Sequence, residues 1–216
     1  MAGQSQAVID AILAKIDLGT LSPGDAIDGD ALAAELDVSA TPMREALIQL
    51  EAHGLIERLP RKGAVVFKPS LREFLSIMEV QAKLEGQAAG LAARRLSAER
   101  ARELQAMLKA CEDHYEKNAE TKPDAYYQCN LDFHRVIAES AGNEFLLSMI
   151  KSNARKVMAY YRARYHFVGV TKASVADHQA ITKAILGRDD AGAEALMHTH
   201  MQFDQVTALD LLTIFE

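Results

Sequence analysis

The thirty residues VSATPMREALIQLEAHGLIERLPRKGAVVF, Val38 to Phe67, constrain the fold more than any other part of the chain. A Thr-Pro pair suits a helix start, because proline in the first turn lacks an N–H that would be unpaired there anyway. The spacing predicts Thr41 as N-cap, Pro42 at the first helical position and a helix to about His53. Gly54 stands where that helix should stop, at a position that favours positive φ. Beyond it, LIERLPRKGAVVF reads as two short strands around a Pro-Arg-Lys-Gly turn.

The flanking sequence completes the unit. Val8, Ile9, Ile12, Leu13 and Ile16 recur at helical spacing, and GTLSPGD then breaks the helix. Asp28 or Asp30 can cap a short second helix, ALAAELDV. Helix, helix, turn, helix and hairpin is the order of a winged helix-turn-helix, whose second paired helix enters the DNA major groove. At Lys68-Pro69-Ser70 the pattern changes. Ser70 and Glu73 fit a capping box, and no strand signal follows. Helices are predicted near 70–96, 98–118, 123–140, 143–167, 172–187 and 190–213. The expected fold is mainly α: a winged DNA-binding domain over residues 1–69 and an all-helical domain over residues 70–216.

Charge narrows the function. A formal net charge of −6 over 216 residues argues against a broadly cationic nucleic-acid binder. Its distribution is uneven, however. Between Ser39 and Ser70 the bases Arg44, Arg58, Arg61, Lys62 and Lys68 outnumber Glu45, Glu51 and Glu57, whereas the preceding residues hold Lys15 alone against seven acids. Such a segment suits a DNA contact confined to one face. No apolar run approaches the roughly 18 residues of a membrane span, the N-terminus lacks signal-peptide order, and Cys111 and Cys129 form no spaced framework. A cytoplasmic protein with no membrane partner is the simple expectation.

LSPGDAIDGDALAAELDVSATPMREALIQLEAHGLIERLPRKGAVV resembles the DNA-binding domain of the GntR family. Downstream, EVQAKLEGQAAGLAA, NLDFHRVIAESAGNEFL, SVADHQAITKAILGRDDAGAEAL and HTHM resemble, in order, the FCD effector domain of one GntR subfamily. The two resemblances imply a dimeric, ligand-responsive transcriptional regulator, usually a repressor, on a palindromic operator in double-stranded DNA. They imply DNA contacts by Thr41 and Arg44 at the start of the recognition helix. Gly63 would lie at the wing tip, with Arg61 and Lys62 near the minor groove or the phosphates. One departure is Ala40, where the family commonly has arginine. A bidentate arginine–guanine pair contributes roughly 1–3 kcal/mol of discrimination, so an altered operator is expected.

The FCD resemblance also implies a divalent metal, held in the family by an Asp-x-x-x-His pair and two later histidines. Here the matching positions are Asn130, His134, His178 and His200. Asn130 and His134, four apart on one helix, share a face, and the asparagine carbonyl oxygen can coordinate. Asp132 lies on another face, His198 is expected to face solvent, and Asp177 is a candidate hydrogen-bond partner for an imidazole. Imidazole suits Zn, Ni, Cu or Fe, of which Zn and Ni are the first choices here.

A second departure is Gln81, where the family has an arginine that reaches a carboxylate ligand. Replacing aspartate by Asn130 and arginine by Gln81 changes the pocket charge in opposite senses. The expected effector is thus a small carboxylate or hydroxy acid on the metal, with Gln81 offering hydrogen bonds. Arg155, Arg162 and Arg164 are candidate cations, of which Arg162 is singled out for effector binding. A metal hydrolase and an adaptor are the two competing classes. No motif supplies a general base, no phosphate-binding Gly loop occurs, and the cysteines lack a paired histidine pattern. The sequence reads as a regulator rather than an enzyme.

Overall fold

The computed structural model describes residues 2–59, 63–118, 121–203 and 205–214. The N-terminal part contains helix α1 (Ala2–Asp17), strand β1 (Ala26–Ile27), helices α2 (Gly29–Glu35) and α3 (Ala40–Ala52), and strands β2 (Ile56–Leu59) and β3 (Gly63–Val66). Asp28 caps α2 by accepting from the Ala31 amide at 2.9 Å. The N-cap of α3 is Ser39, not Thr41, so the helix opens two residues earlier than the Thr-Pro pair suggests. Pro42 falls third in the helix. Because the first turn has no intrahelical acceptors for its N–H groups, proline still removes no bond. Its ring is buried, and the helix ends before Gly54 at φ 67°.

The hairpin is one side of a three-stranded antiparallel sheet, ordered β1-β3-β2. Leu59 pairs with Gly63 across the turn, and Ala26 pairs with Val65 on the other edge. Strand β1 was not expected, since two residues are too few to show a period. Val8, Ile12, Leu32, Ala46, Leu50 and Ile56 form the core beneath the sheet.

The bundle comprises α4 (Leu71–Arg95), α5 (Ala98–Asn118), α6 (Pro123–Ser140), α7 (Glu144–Arg155), α8 (Met158–Arg164), α9 (Val170–Leu186), α10 (Asp190–His200) and α11 (Gln205–Thr213). A reciprocal capping box opens α4: Ser70 accepts from the Glu73 amide, and Glu73 accepts from the Ser70 amide. Two helices expected to be continuous are each divided. The 143–167 segment breaks where the amides of Lys156 and Val157 donate three residues back, to Asn153 and Ala154. Val157 is then fully buried with Phe74 and Tyr160. The 190–213 segment is interrupted after His200. Neither break carries glycine or proline, so neither had a local signal.

Helices α4 and α10 approach closely because α4 presents glycines to its neighbour. A Cβ on Gly86 would lie 3.0 Å from the Glu194 carbonyl oxygen, and one on Gly90 3.2 Å from that of Asp190. This approach sets the C-terminal end of α10, with His200, beside the stretch of α4 that carries Gln81 and Glu85.

The winged part also touches the bundle directly. Arg162 donates to the carbonyls of Leu18 (2.9 Å) and Asp17 (3.3 Å) at the end of α1, and Arg155 pairs with the Asp17 carboxylate at 3.5 Å.

Candidate functional site

The outward face of α3 presents Thr41 and Arg44 to solvent, while Pro42, Met43, Ala46 and Leu50 turn inward. Among the described residues the Arg44 side chain has no ion-pair or hydrogen-bond partner, so it is not spent on a neighbouring acid. Arg58, by contrast, pairs with Glu51 at 3.2 Å. A groove between α3 and the hairpin is lined by Asp30, Ala40, Arg44, Arg58 and Gly63. Gly63 has φ 72°, which a side chain would strain. Arg61 and Lys62 lie outside the described residues.

The second site is inside the bundle. Helices α6, α9 and α10 bring His134, His178 and His200 together, and one ligand atom from each lies within 4.8 Å of the others. Their ring centres are separated by 4.9 to 5.6 Å. His178 is fully buried and stacks on Phe133 at 3.9 Å. Burial, reinforced by the other two imidazoles, pushes the His178 pKa well below normal. Burial also lowers that of His200, against an opposing pull from Asp177. Both rings are therefore held neutral, which is the form that ligates metals.

Carboxylates set the orientation of two of the rings. His200 Nδ1 lies 2.9 Å from Asp177 Oδ2, and His134 Nδ1 lies 3.4 Å from Glu85 Oε2. A carboxylate accepts only, so each Nδ1 carries the proton and each Nε2 keeps a free lone pair. Among the described residues the buried His178 Nδ1 has no hydrogen-bond partner. An orphaned imidazole nitrogen beside two others with free lone pairs fits a bound transition metal.

The remaining predicted residues fall out differently. Asn130 is buried, lines the same cavity, and its Oδ1 accepts the Tyr165 hydroxyl at 2.8 Å, leaving a second lone pair. Burial pushes Tyr165 up to about 12, so it remains a donor. Gln81 lines the cavity but is already engaged, donating to Glu85 and accepting from Asn153, both at 3.0 Å. It braces Glu85 and retains a single N–H for anything else. Arg162, expected at the effector, is not in the cavity wall, because its guanidinium is spent on the end of α1. The arginine in the wall is Arg164. Sequence reasoning missed Tyr165, Tyr161 and the role of Glu85. Glu85, four residues beyond Gln81 on the same helix, was visible, but the tyrosines carried no spacing signal.

A winged reading head joined to an all-helical body with a polar interior pocket is the architecture of a one-component transcription regulator. Residues 4–66 match the family of bacterial regulatory proteins called the gntR family, and residues 76–203 match the FCD domain. The chain belongs to the GntR family, in the group that carries an FCD domain.

A similar curated protein is the HTH-type transcriptional repressor GlaR of Escherichia coli, 28% identical over 198 residues, covering 85% of this chain and 86% of that one. Another is the Nta operon transcriptional regulator of Aminobacter aminovorans, 27% identical over 186 residues and covering 85% of each. Among solved structures, E. coli McbR/YncC shares the fold with a TM-score of 0.78 at 21% identity, over 100% of both chains. These relatives are transcription regulators rather than enzymes. Among the described residues no helix is long and apolar enough to cross a membrane.

Proposed function

We propose that this regulator is a cytoplasmic homodimeric repressor that senses a small carboxylate or hydroxy acid at a metal centre inside its helical domain. The observation that carries the reading is the convergence of three imidazoles, one with a nitrogen that lacks a hydrogen-bond partner among the described residues, in a buried cavity. His134, His178 and His200 would hold a divalent transition metal such as Zn or Ni, with Asn130 Oδ1 as a further oxygen donor. Bound there, the ion supplies a Lewis-acidic position for an acid's oxygens. The chain's own contribution is orientation: Asp177 and Glu85 fix two rings, and Tyr165 fixes Asn130.

At the other end, Thr41 and Arg44 read bases in the major groove of a palindromic operator. The wing around Gly63, with Arg61 and Lys62, meets the backbone or minor groove. The reading divides the chain into a winged DNA-binding domain over residues 1–69 and an all-helical domain over residues 70–216, a division supported by the Ser70 cap that opens α4. Metal analysis by plasma mass spectrometry on untagged protein purified without chelator tests the reading. One equivalent of a transition metal per chain, lost in His134→Ala, is expected. A metal-free protein that cannot be reconstituted would sink the sensing half and leave the family intact.

A further inference from the structure

The cavity beside the three imidazoles contains polar groups that the metal centre does not use. Arg164 lines it, and among the described residues its guanidinium has no carboxylate or hydrogen-bond partner; it lies 4.5 Å over the Phe203 ring. Several other arginines of the bundle are engaged. Arg95 donates to the carbonyl of Ala141, Arg188 to those of Ala93 and Leu96, and Arg162 to the end of α1. An unengaged guanidinium in a cavity wall is a cation waiting for an anion.

The second group is Tyr161. It lines the same cavity, and among the described residues its buried hydroxyl has no partner. A buried hydroxyl left unpaired keeps its full desolvation cost, so such groups in native proteins call for an explanation. Burial and the Glu85 carboxylate raise the Tyr161 pKa well above its usual value, with Arg164 partly offsetting them. The phenol is therefore a neutral donor within the field of Arg164. The cavity is small, with about 50 Å³ open to the centres of water molecules, so its occupant is compact.

We propose that Arg164 and Tyr161 form a second anchor for the effector, which is therefore a compact dicarboxylate. One carboxylate goes to the metal centre, and the other accepts from the Arg164 guanidinium and the Tyr161 hydroxyl. The first carboxylate rests on the metal-centred reading above; the Arg164 anchor does not.

Calorimetric titration of the full-length, metal-loaded protein with malonate and succinate, against propionate and butyrate, tests the proposal. At least one dicarboxylate should bind about tenfold or more tighter than the monocarboxylate of equal length, as expected of a charge-assisted pair. Arg164→Gln should erase that preference, Arg164→Lys should keep part of it, and Tyr161→Phe should weaken the dicarboxylate alone. His134→Ala separates this proposal from the metal reading. If only the metal reading fails, His134→Ala changes nothing while the Arg164-dependent preference persists. Binding of neither dicarboxylate, equal affinity for the two classes, or a preference that survives in a folded Arg164→Gln protein overturns the proposal.

Discussion

Arg162 Nη1 donates to the Leu18 carbonyl oxygen across 2.9 Å, which fastens helix α8 of the bundle to the chain just beyond α1. Two residues along α8, Arg164 stands in the cavity wall. One short helix therefore touches both the candidate effector cavity and the reading head. Arg162→Ala should lower stability by about 1 kcal/mol, the usual net worth of such bonds. Gly19→Ala should act on the same joint, since Gly19 has φ 75° and its Cβ would meet the Arg162 guanidinium. A left-handed alanine costs roughly 1–2 kcal/mol. Calorimetric unfolding of both variants checks this, and operator affinity should respond less to added dicarboxylate in Arg162→Ala than in the native protein.

Asp177 touches the proposed metal centre only through His200. Removing its charge in Asp177→Asn should weaken metal binding about 10–100-fold, as loss of such outer partners generally does. Competition with a chromophoric chelator reads the change directly. An unaltered affinity would mean that the 2.9 Å contact does not orient the ring.

The exposed guanidinium of Arg44, unpaired among the described residues, should cost little stability and much affinity when removed. For Arg44→Ala, operator binding is expected to fall by roughly 1–3 kcal/mol with the unfolding midpoint unchanged, as for loss of a base contact. Fluorescence anisotropy with the operator and a scrambled duplex separates the outcomes. Equal losses on both duplexes would assign Arg44 to phosphate instead.

The cap at the start of α4 predicts a pH response. Hydrogen bonds from the Ser70 side chain and amide lower the Glu73 pKa below its ordinary value. The cap's contribution is thus present above the unfolded carboxylate pKa and disappears as pH falls through the lowered folded value. Ser70→Ala should destabilise the protein by about 1 kcal/mol at neutral pH, typical of an N-cap. That difference should shrink in acid, as thermal melts at pH 7 and pH 3 would record.

Much of the reading head was legible because its signals are local. Gly54 and Gly63 both take the positive φ that marks a helix end and a turn, and Asp28 caps α2. The three histidines could be grouped because the resemblance supplied their partners, while their mutual distance depends on the close approach of α4 and α10 at Gly86 and Gly90. Nothing local in the sequence shows which of Arg155, Arg162 and Arg164 faces the cavity, because the turn at Lys156 and Val157 that precedes α8 carries no glycine or proline. Val157 at that break is buried with its neighbour Tyr160 and with Phe74, a partner distant in sequence. Tyr161 and Tyr165 were invisible for the same reason.

Helix α4 has a mechanical consequence. It begins at the Ser70 cap, immediately after the wing, and reaches the cavity at Glu85, fifteen residues on. At 1.5 Å per residue that arm is roughly 22 Å long. A lever of this length, pivoted near Glu85, converts a tilt of about 5° into a displacement of about 2 Å at Ser70. The rise of one DNA base pair is about 3.4 Å. A ligand that shifts the cavity wall by a fraction of an atom's width would thus move the reading head by more than half a base-pair step.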